Sequence, residues 1–180
     1  MERISVAYDR YFAQLCDSFN KGGVLLVSVD DKGRPNTMTI GWGQLGVIWG
    51  RKVFTVLVRP SRYTYGCINT TGDFTVNVPF PEQAEALAFC GSKSGRDYDK
   101  FAECSLTAVA AQCESLRSPY IAECGLAYEC KTLSFNDLIP AQTDASVCDG
   151  CYPKGDFHRL YFGEVVAAHC SPDFAKRFGK

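Results

Sequence analysis

Apolar and polar positions alternate along this chain in short, punctuated runs. Tyr11, Phe12, Leu15 and Phe19 fall at helical spacing between Tyr8 and Asn20, and Gly22-Gly23 ends that segment, so an amphipathic helix is expected there. The run VLLVSV from Val24, followed by Asp-Lys-Gly, predicts a buried strand and a tight turn, which makes Arg34 to Gly46 (RPNTMTIGWGQLG) the second arm of a β-hairpin. Val53 to Pro60 is apolar nearly throughout and predicts a third strand covered on both faces. Pro60 and Ser61 then offer a helix start, with Ser61 as the capping hydroxyl and Gly72 as the stop. Asp73 leads into a fourth strand, FTVNVP, stopped by Pro79 and Pro81. PEQAEALAFCG predicts a short helix with Gly91 past its end, and SKSGRDYDKF a polar loop entering a further helical start. Two more strands are expected from Ile121 and from Leu160, separated by a long polar excursion from Asn136 to His158. The sum is a mainly β fold with short helices, a barrel with helical attachments, in a single domain over residues 1–180.

Gly41-Trp42-Gly43 is the odd element in this pattern. It puts a bulky ring between two residues without side chains, directly after a strand bearing Asn36, Thr37 and Thr39. Two readings stand at this level. Backbone groups along Asn36, Thr37, Met38 and Thr39 meet the polar edge of a heterocycle with Trp42 against its apolar part; or Trp42 is a core aromatic and the glycines mark a barrel-corner bulge.

Composition narrows the function classes. With 46% apolar and 22% charged residues, a net charge of −1 and no Lys/Arg run, the chain has no electrostatic footprint for nucleic acid or a polybasic membrane contact. Its apolar runs are too short to span a bilayer and no basic-then-apolar leader opens it, so a cytoplasmic location is expected. Ten cysteines would suit a disulfide scaffold in a small secreted chain, but a full apolar core and no leader favour reduced thiols, many of them buried. The one C-x-x-C, Cys148-Asp-Gly-Cys151, lacks the second half of a zinc site, so no metal is expected and a Gly-containing turn is the plainest reading of that pair.

Candidate chemistry is sparse except at one junction. No phosphate loop, dinucleotide fingerprint or nucleophile elbow is present. Arg59-Pro-Ser-Arg62-Tyr-Thr64, by contrast, leaves a buried strand for a helix N-terminus. There two guanidinium groups and two hydroxyls stand beside free N–H groups, as a phosphate monoester requires. Ser61 as a simple cap beside two solvated arginines is the competing reading.

NTMTIGWG, VFTVLVRPSRYTYGCI, FTVNVP, CGSKSGRDYDKF and GDFHRLYFGEVVAAH occur here in one order and cover most of the chain from Val24 to His169. Together they resemble the flavin reductase-like, FMN-binding split-barrel family, its flavoredoxin branch in particular. The resemblance implies a split β-barrel that forms a homodimer with FMN at the interface. It implies that Asn36, Thr37, Met38 and Thr39 contact the ring edge and that Trp42 packs near the ring. Arg59, Ser61, Arg62 and Thr64 would grip the phosphate and ribityl chain, Ser92 and Ser94 would lie along the cofactor, Lys100 would add a cation and His158 would approach from the last strands. No side-chain acid or base is required, because the cofactor carries the redox chemistry while the protein supplies orientation and charge. The implied function is electron transfer through bound FMN, from NAD(P)H or a redox protein to flavin or another acceptor. A non-catalytic FMN-binding protein, and a thiol or metal redox protein using Cys148 and Cys151, are the alternatives.

Overall fold

The structure, a computed structural model, describes residues 2–178. Its strands are β1 (Ile4–Ser5), β2 (Val24–Val29), β3 (Pro35–Ile40), β4 (Gly43–Ile48), β5 (Arg51–Val58), β6 (Asp73–Val78), β7 (Ala108–Val109), β8 (Tyr120–Ile121), β9 (Leu126–Asp137) and β10 (Arg159–Cys170). The helices are α1 (Phe12–Asn20), α2 (Tyr63–Thr71), α3 (Ala84–Ser92), α4 (Lys100–Glu103), α5 (Ala145–Cys151) and α6 (Phe174–Phe178). An antiparallel sheet of eight strands runs β3-β2-β6-β9-β10-β5-β4, with β1 added against β10. Its two edge strands, β3 and β4, are consecutive in the chain and joined only through Gly41 and Trp42. The sheet must therefore curl until its edges meet, which gives a split barrel with the seam at Gly41-Trp42. The separate β7–β8 pair packs outside it. No helix among the described residues is long and apolar enough to cross a membrane.

The alternation along β2 explains why its sequence is apolar from Val24 to Val27. Val24 and Leu26 point into the barrel, beside Phe54, Phe74 and Tyr128. Leu25 and Val27 point outward into a second core with Cys90, Phe101, Leu106 and Ile121. Both faces of the strand are thus covered, as the continuous run predicts. Close packing also sets where β10 bends: a side chain at Gly163 would place its Cβ 2.4 Å from the Phe74 ring, and the register shifts between Phe162 and Gly163.

Several boundaries differ from the sequence pattern. Residues 8–11 form tight turns, with Arg10 N–H on the Ala7 carbonyl and Phe12 N–H on that of Asp9, so α1 begins only at Phe12. Gly91 lies inside α3, and β9 begins at Leu126 because residues 122–125 turn back, Gly125 N–H bonding the Val78 carbonyl. The hairpin arm expected to run on to Gly46 instead breaks at Gly41 and Trp42, and β4 is a strand of its own. Its hairpin to β5 turns on Trp49 and Gly50, both left-handed (φ +53° and +68°), with tryptophan in a place that usually calls for asparagine or aspartate. The Cys148–Cys151 pair sits on α5, whose start Asp144 caps through the Ser146 N–H, and not in a turn.

Candidate functional site

The strand-to-helix junction after β5 is built differently from a simple cap. Arg62, not Ser61, holds the N-cap position of α2, with extended backbone. The Ser61 N–H (3.2 Å) and hydroxyl (2.6 Å) both donate to the carboxylate of Asp156, which adopts a left-handed φ of +58°. The Arg59 guanidinium donates to the carbonyl oxygens of Cys151 (2.8 Å) and Asp156 (3.0 Å) and lies over the Tyr152 ring. Arg59 and Ser61 therefore tie the 138–158 excursion onto the barrel, and Leu138 N–H on the His158 carbonyl closes its neck. No hydrogen bond or ion pair engages the Arg62 guanidinium among the described residues.

Arg62 and Met38 are shared by two adjoining cavities. One, of about 190 Å³, runs along Thr39, Ile40 and Gly41 and is closed by Trp42, Arg59 and His158. The other, of about 170 Å³, is lined by Ser61, Thr64, Ser94 and Lys100, with Lys93 and Arg96 added. Beyond Asn36 and Gly95 it adjoins a wider, charged depression of about 560 Å³. The walls are held by specific bonds. Asn36 donates through its amide to the Thr64 hydroxyl (2.7 Å), Thr39 to the Leu87 carbonyl (2.6 Å), and the Lys100 ammonium to the Cys90 carbonyl (2.8 Å). A Cβ at Gly95 would fall 2.0 Å from the Asn36 amide oxygen, so this loop can approach β3 only as glycine.

Charge and aromaticity are divided between the two spaces. The first is flanked by rings: Trp42, 44% exposed and so not a core residue, lies 5.1 Å from the His158 imidazole and edge-on to Tyr152. His158 Nδ1 pairs with the Tyr152 hydroxyl at 2.8 Å. Burial, and then the positive charges of Arg59 and Arg62, push the His158 imidazole down to about 4, so it is neutral at physiological pH. The second space gathers Arg62, Lys93, Arg96 and Lys100 around three hydroxyls. Burial lowers the Lys100 ammonium from its ordinary value.

The His158 shift has a measurable consequence. A histidine depressed in the folded state binds its proton more readily when unfolded, so stability rises with pH between the folded and unfolded values. Stability is expected to fall by about 2–3 kcal/mol as pH drops from 6.5 towards 4, and His158→Gln should remove most of that dependence. Urea unfolding at both pH values reads this directly. An identical pH slope in the variant would assign the dependence to other groups.

Of the thirteen side chains singled out in the sequence, Asn36, Met38, Thr39, Trp42, Arg59, Ser61, Arg62, Thr64, Ser94, Lys100 and His158 line these contiguous spaces. The Thr37 side chain does not: it is fully buried, its hydroxyl unpartnered. Ser92 bonds back to the Ala88 carbonyl (2.9 Å) on the exposed side of α3 and also lies outside. Lys93, Gly95 and Arg96 join the site without having been singled out. Their signal was the basic Ser-Lys-Ser-Gly-Arg run between two helices.

A family model described as "Flavin reductase like domain" matches residues 18–177. Among solved structures, the chain is similar to the flavoredoxin of Desulfovibrio vulgaris (Miyazaki F), with 23% identity over 83% of this chain and 69% of that one and a TM-score of 0.66. It is also similar to the flavoredoxin from Methanosarcina acetivorans, with 25% identity, coverage of 84% and 69%, and a TM-score of 0.65. A third is an FMN-binding domain of a flavin reductases-like enzyme from Shewanella baltica OS155, with 21% identity, coverage of 94% and 77%, and a TM-score of 0.65. No curated protein matches the chain in sequence.

Proposed function

The chain belongs to the flavin reductase-like family, and from that premise we propose that it is an FMN-dependent oxidoreductase. The observation that carries this reading is the pairing of an unengaged arginine in a cationic, hydroxyl-lined space with a ring-walled space next to it along β3. That donor set fits the cofactor. A phosphate monoester needs cations and hydroxyls, which Arg62, Lys93, Ser94 and Arg96 supply, and Gly95 lets the loop that carries the last three lie close against Asn36 of β3. Met38, Trp42 and His158 offer an apolar and aromatic wall for a planar ring.

Bound FMN supplies reversible electron transfer; this chain's residues bind, orient and shield it. Arg62 would anchor the phosphate. The backbone of Met38 and Thr39 would face the polar edge of the ring, and Lys100 would keep a positive charge nearby. Neutral His158 takes no proton over the working pH range and serves as a wall. We assign the donor as NAD(P)H or a reduced protein, the acceptor as flavin or another small molecule, the assembly as a homodimer and the location as the cytoplasm.

Anaerobic purification followed by a visible spectrum, and identification by mass of what heat releases, tests this reading. A yellow protein releasing FMN is expected, and bleaching by NADH or NADPH would mark a nicotinamide-dependent reductase. A colourless chain that also fails to bind added FMN would overturn the proposal. A bound flavin that no donor reduces would make the chain a flavin-binding protein without turnover.

A further inference from the structure

Ten cysteines are unpaired in this structure, yet two of them stand apart from the rest. Cys90, near the end of α3, and Cys104, directly after α4, bring their sulfurs to 3.9 Å. They face different spaces. Cys90 is 1% exposed and forms part of the wall of the cationic cavity beside Lys93 and Ser94. Cys104 is half-buried and opens on a separate groove rimmed by Glu82, Glu85, Glu123 and, paired to Glu82, Arg177. The other close pair in sequence makes no such contact, because the Cys148 sulfur faces the carbonyls of Pro140 and Thr143.

The geometry points to Cys90 and Cys104 as a reversible dithiol–disulfide pair, entered from the groove at Cys104 by a hydroperoxide and closed onto Cys90 at the cavity wall. Cys104 acts first because it is the one within reach of solvent, and an uncharged peroxide is not repelled by the acidic rim. Its thiolate attacks a peroxide oxygen; the O–O bond breaks, the other oxygen leaves as water or alcohol after taking up a proton, and Cys104 becomes a sulfenic acid. The Cys90 sulfur then attacks the Cys104 sulfur, the S–O bond breaks, and hydroxide departs as water with the Cys90 proton. Two thiols and one hydroperoxide thus give one disulfide, one water and one further water or alcohol. Burial and the neighbouring Cys104 push the Cys90 thiol up to about 12, which suits it to resolve and not to initiate.

A disulfide has sulfurs about 2 Å apart, so the two must close by roughly 2 Å. The short α4, with only four residues, is the element best able to give way. The closure would fix both ends of residues 91–103, the segment that carries Lys93, Ser94, Arg96 and Lys100 into the cavity. It would also move Cys90, whose carbonyl holds the Lys100 ammonium. Peroxide in the surroundings would in this way alter the anion-binding wall.

The test uses the full chain, reduced and then exposed to hydrogen peroxide, with free thiols alkylated before digestion and mass analysis. A linked Cys90–Cys104 peptide that dithiothreitol releases is expected. Cys104→Ser should abolish the link and leave Cys90 a free thiol, whereas Cys90→Ser should leave a Cys104 sulfenic acid that dimedone traps. A link between other cysteines, or oxidation of Cys90 in the Cys104→Ser chain, would overturn the pair. Backbone hydrogen exchange across residues 91–103 should slow several-fold on oxidation and recover on reduction; unchanged exchange would overturn the coupling to the cavity. None of these readouts needs flavin, so a chain that binds no FMN would sink the functional proposal while leaving this one standing or falling on its own.

Discussion

Arg62→Ala is expected to weaken FMN binding by roughly 10- to 100-fold while leaving riboflavin affinity nearly unchanged. The expectation rests on what the Arg62 guanidinium does without ligand, which is to bond nothing among the described residues while lining both halves of the site. A hydrogen bond to a charged group contributes about 1.5–3 kcal/mol, and riboflavin lacks the phosphate that would receive it. Arg59→Ala should behave otherwise. Its guanidinium holds the carbonyls of Cys151 and Asp156, so its loss frees the excursion that presents His158, and both flavins should bind less well. Fluorescence titration of the two ligands against the two variants separates these roles. Equal losses of FMN and riboflavin affinity in Arg62→Ala would move the phosphate elsewhere.

That contrast shows where sequence reading succeeds and where it stops. The barrel strands β2 and β5 were legible because burial on both faces demands mostly apolar residues, broken only by Ser28 in one and by Thr55 within Val53–Val58 of the other, and α2 was legible at its end because Gly72 takes a left-handed φ of +70°. β4 was not, since Gly43 and Gly46 dilute its pattern and Trp49 occupies a turn position that normally announces itself with a small polar residue. At the site, the Arg-Pro-Ser-Arg motif located the right junction but could not apportion its donors. Ser61 is engaged by Asp156, 95 residues later, and a single chain carries no local sign of that pairing. Thr37 was named with its neighbours for its backbone groups, and strand alternation turns only its side chain away from Asn36 and Met38. Lys93 and Arg96 were missed for the reverse reason: a basic loop reads as solvated until a glycine such as Gly95 is seen to press it against a strand.

Glu129→Ala should cost about 3–5 kcal/mol of stability, the largest effect of any single change considered. Glu129, on β9, is fully buried and accepts from the N–H groups of Gln112 (2.7 Å) and Cys113 (2.9 Å) and from His169 Nε2 (2.9 Å). The Arg3 guanidinium donates to His169 Nδ1 (3.0 Å), which places the ring proton on Nε2 and makes Arg3, His169 and Glu129 one directed chain of donors. Alanine would leave the fully buried His169 Nε2–H without an acceptor, and with it the two part-buried N–H groups of Gln112 and Cys113. Burial pushes the Glu129 carboxyl up, but His169 and the two N–H groups outweigh it and hold the carboxyl below its ordinary value of 4.5. A carboxyl depressed on folding binds fewer protons than in the unfolded chain, so its contribution is whole above 4.5 and is lost as pH falls through the folded value. This window lies below the one set by His158, so urea unfolding at pH 7, 5 and about 3.5 resolves the two groups. The variant should be less stable at pH 7 and should lose less on further acidification. A loss below about 1 kcal/mol at pH 7 would mean that the three donors find other partners, and that the Glu129–His169 bond adds little to the backbone ladder already joining β9 and β10.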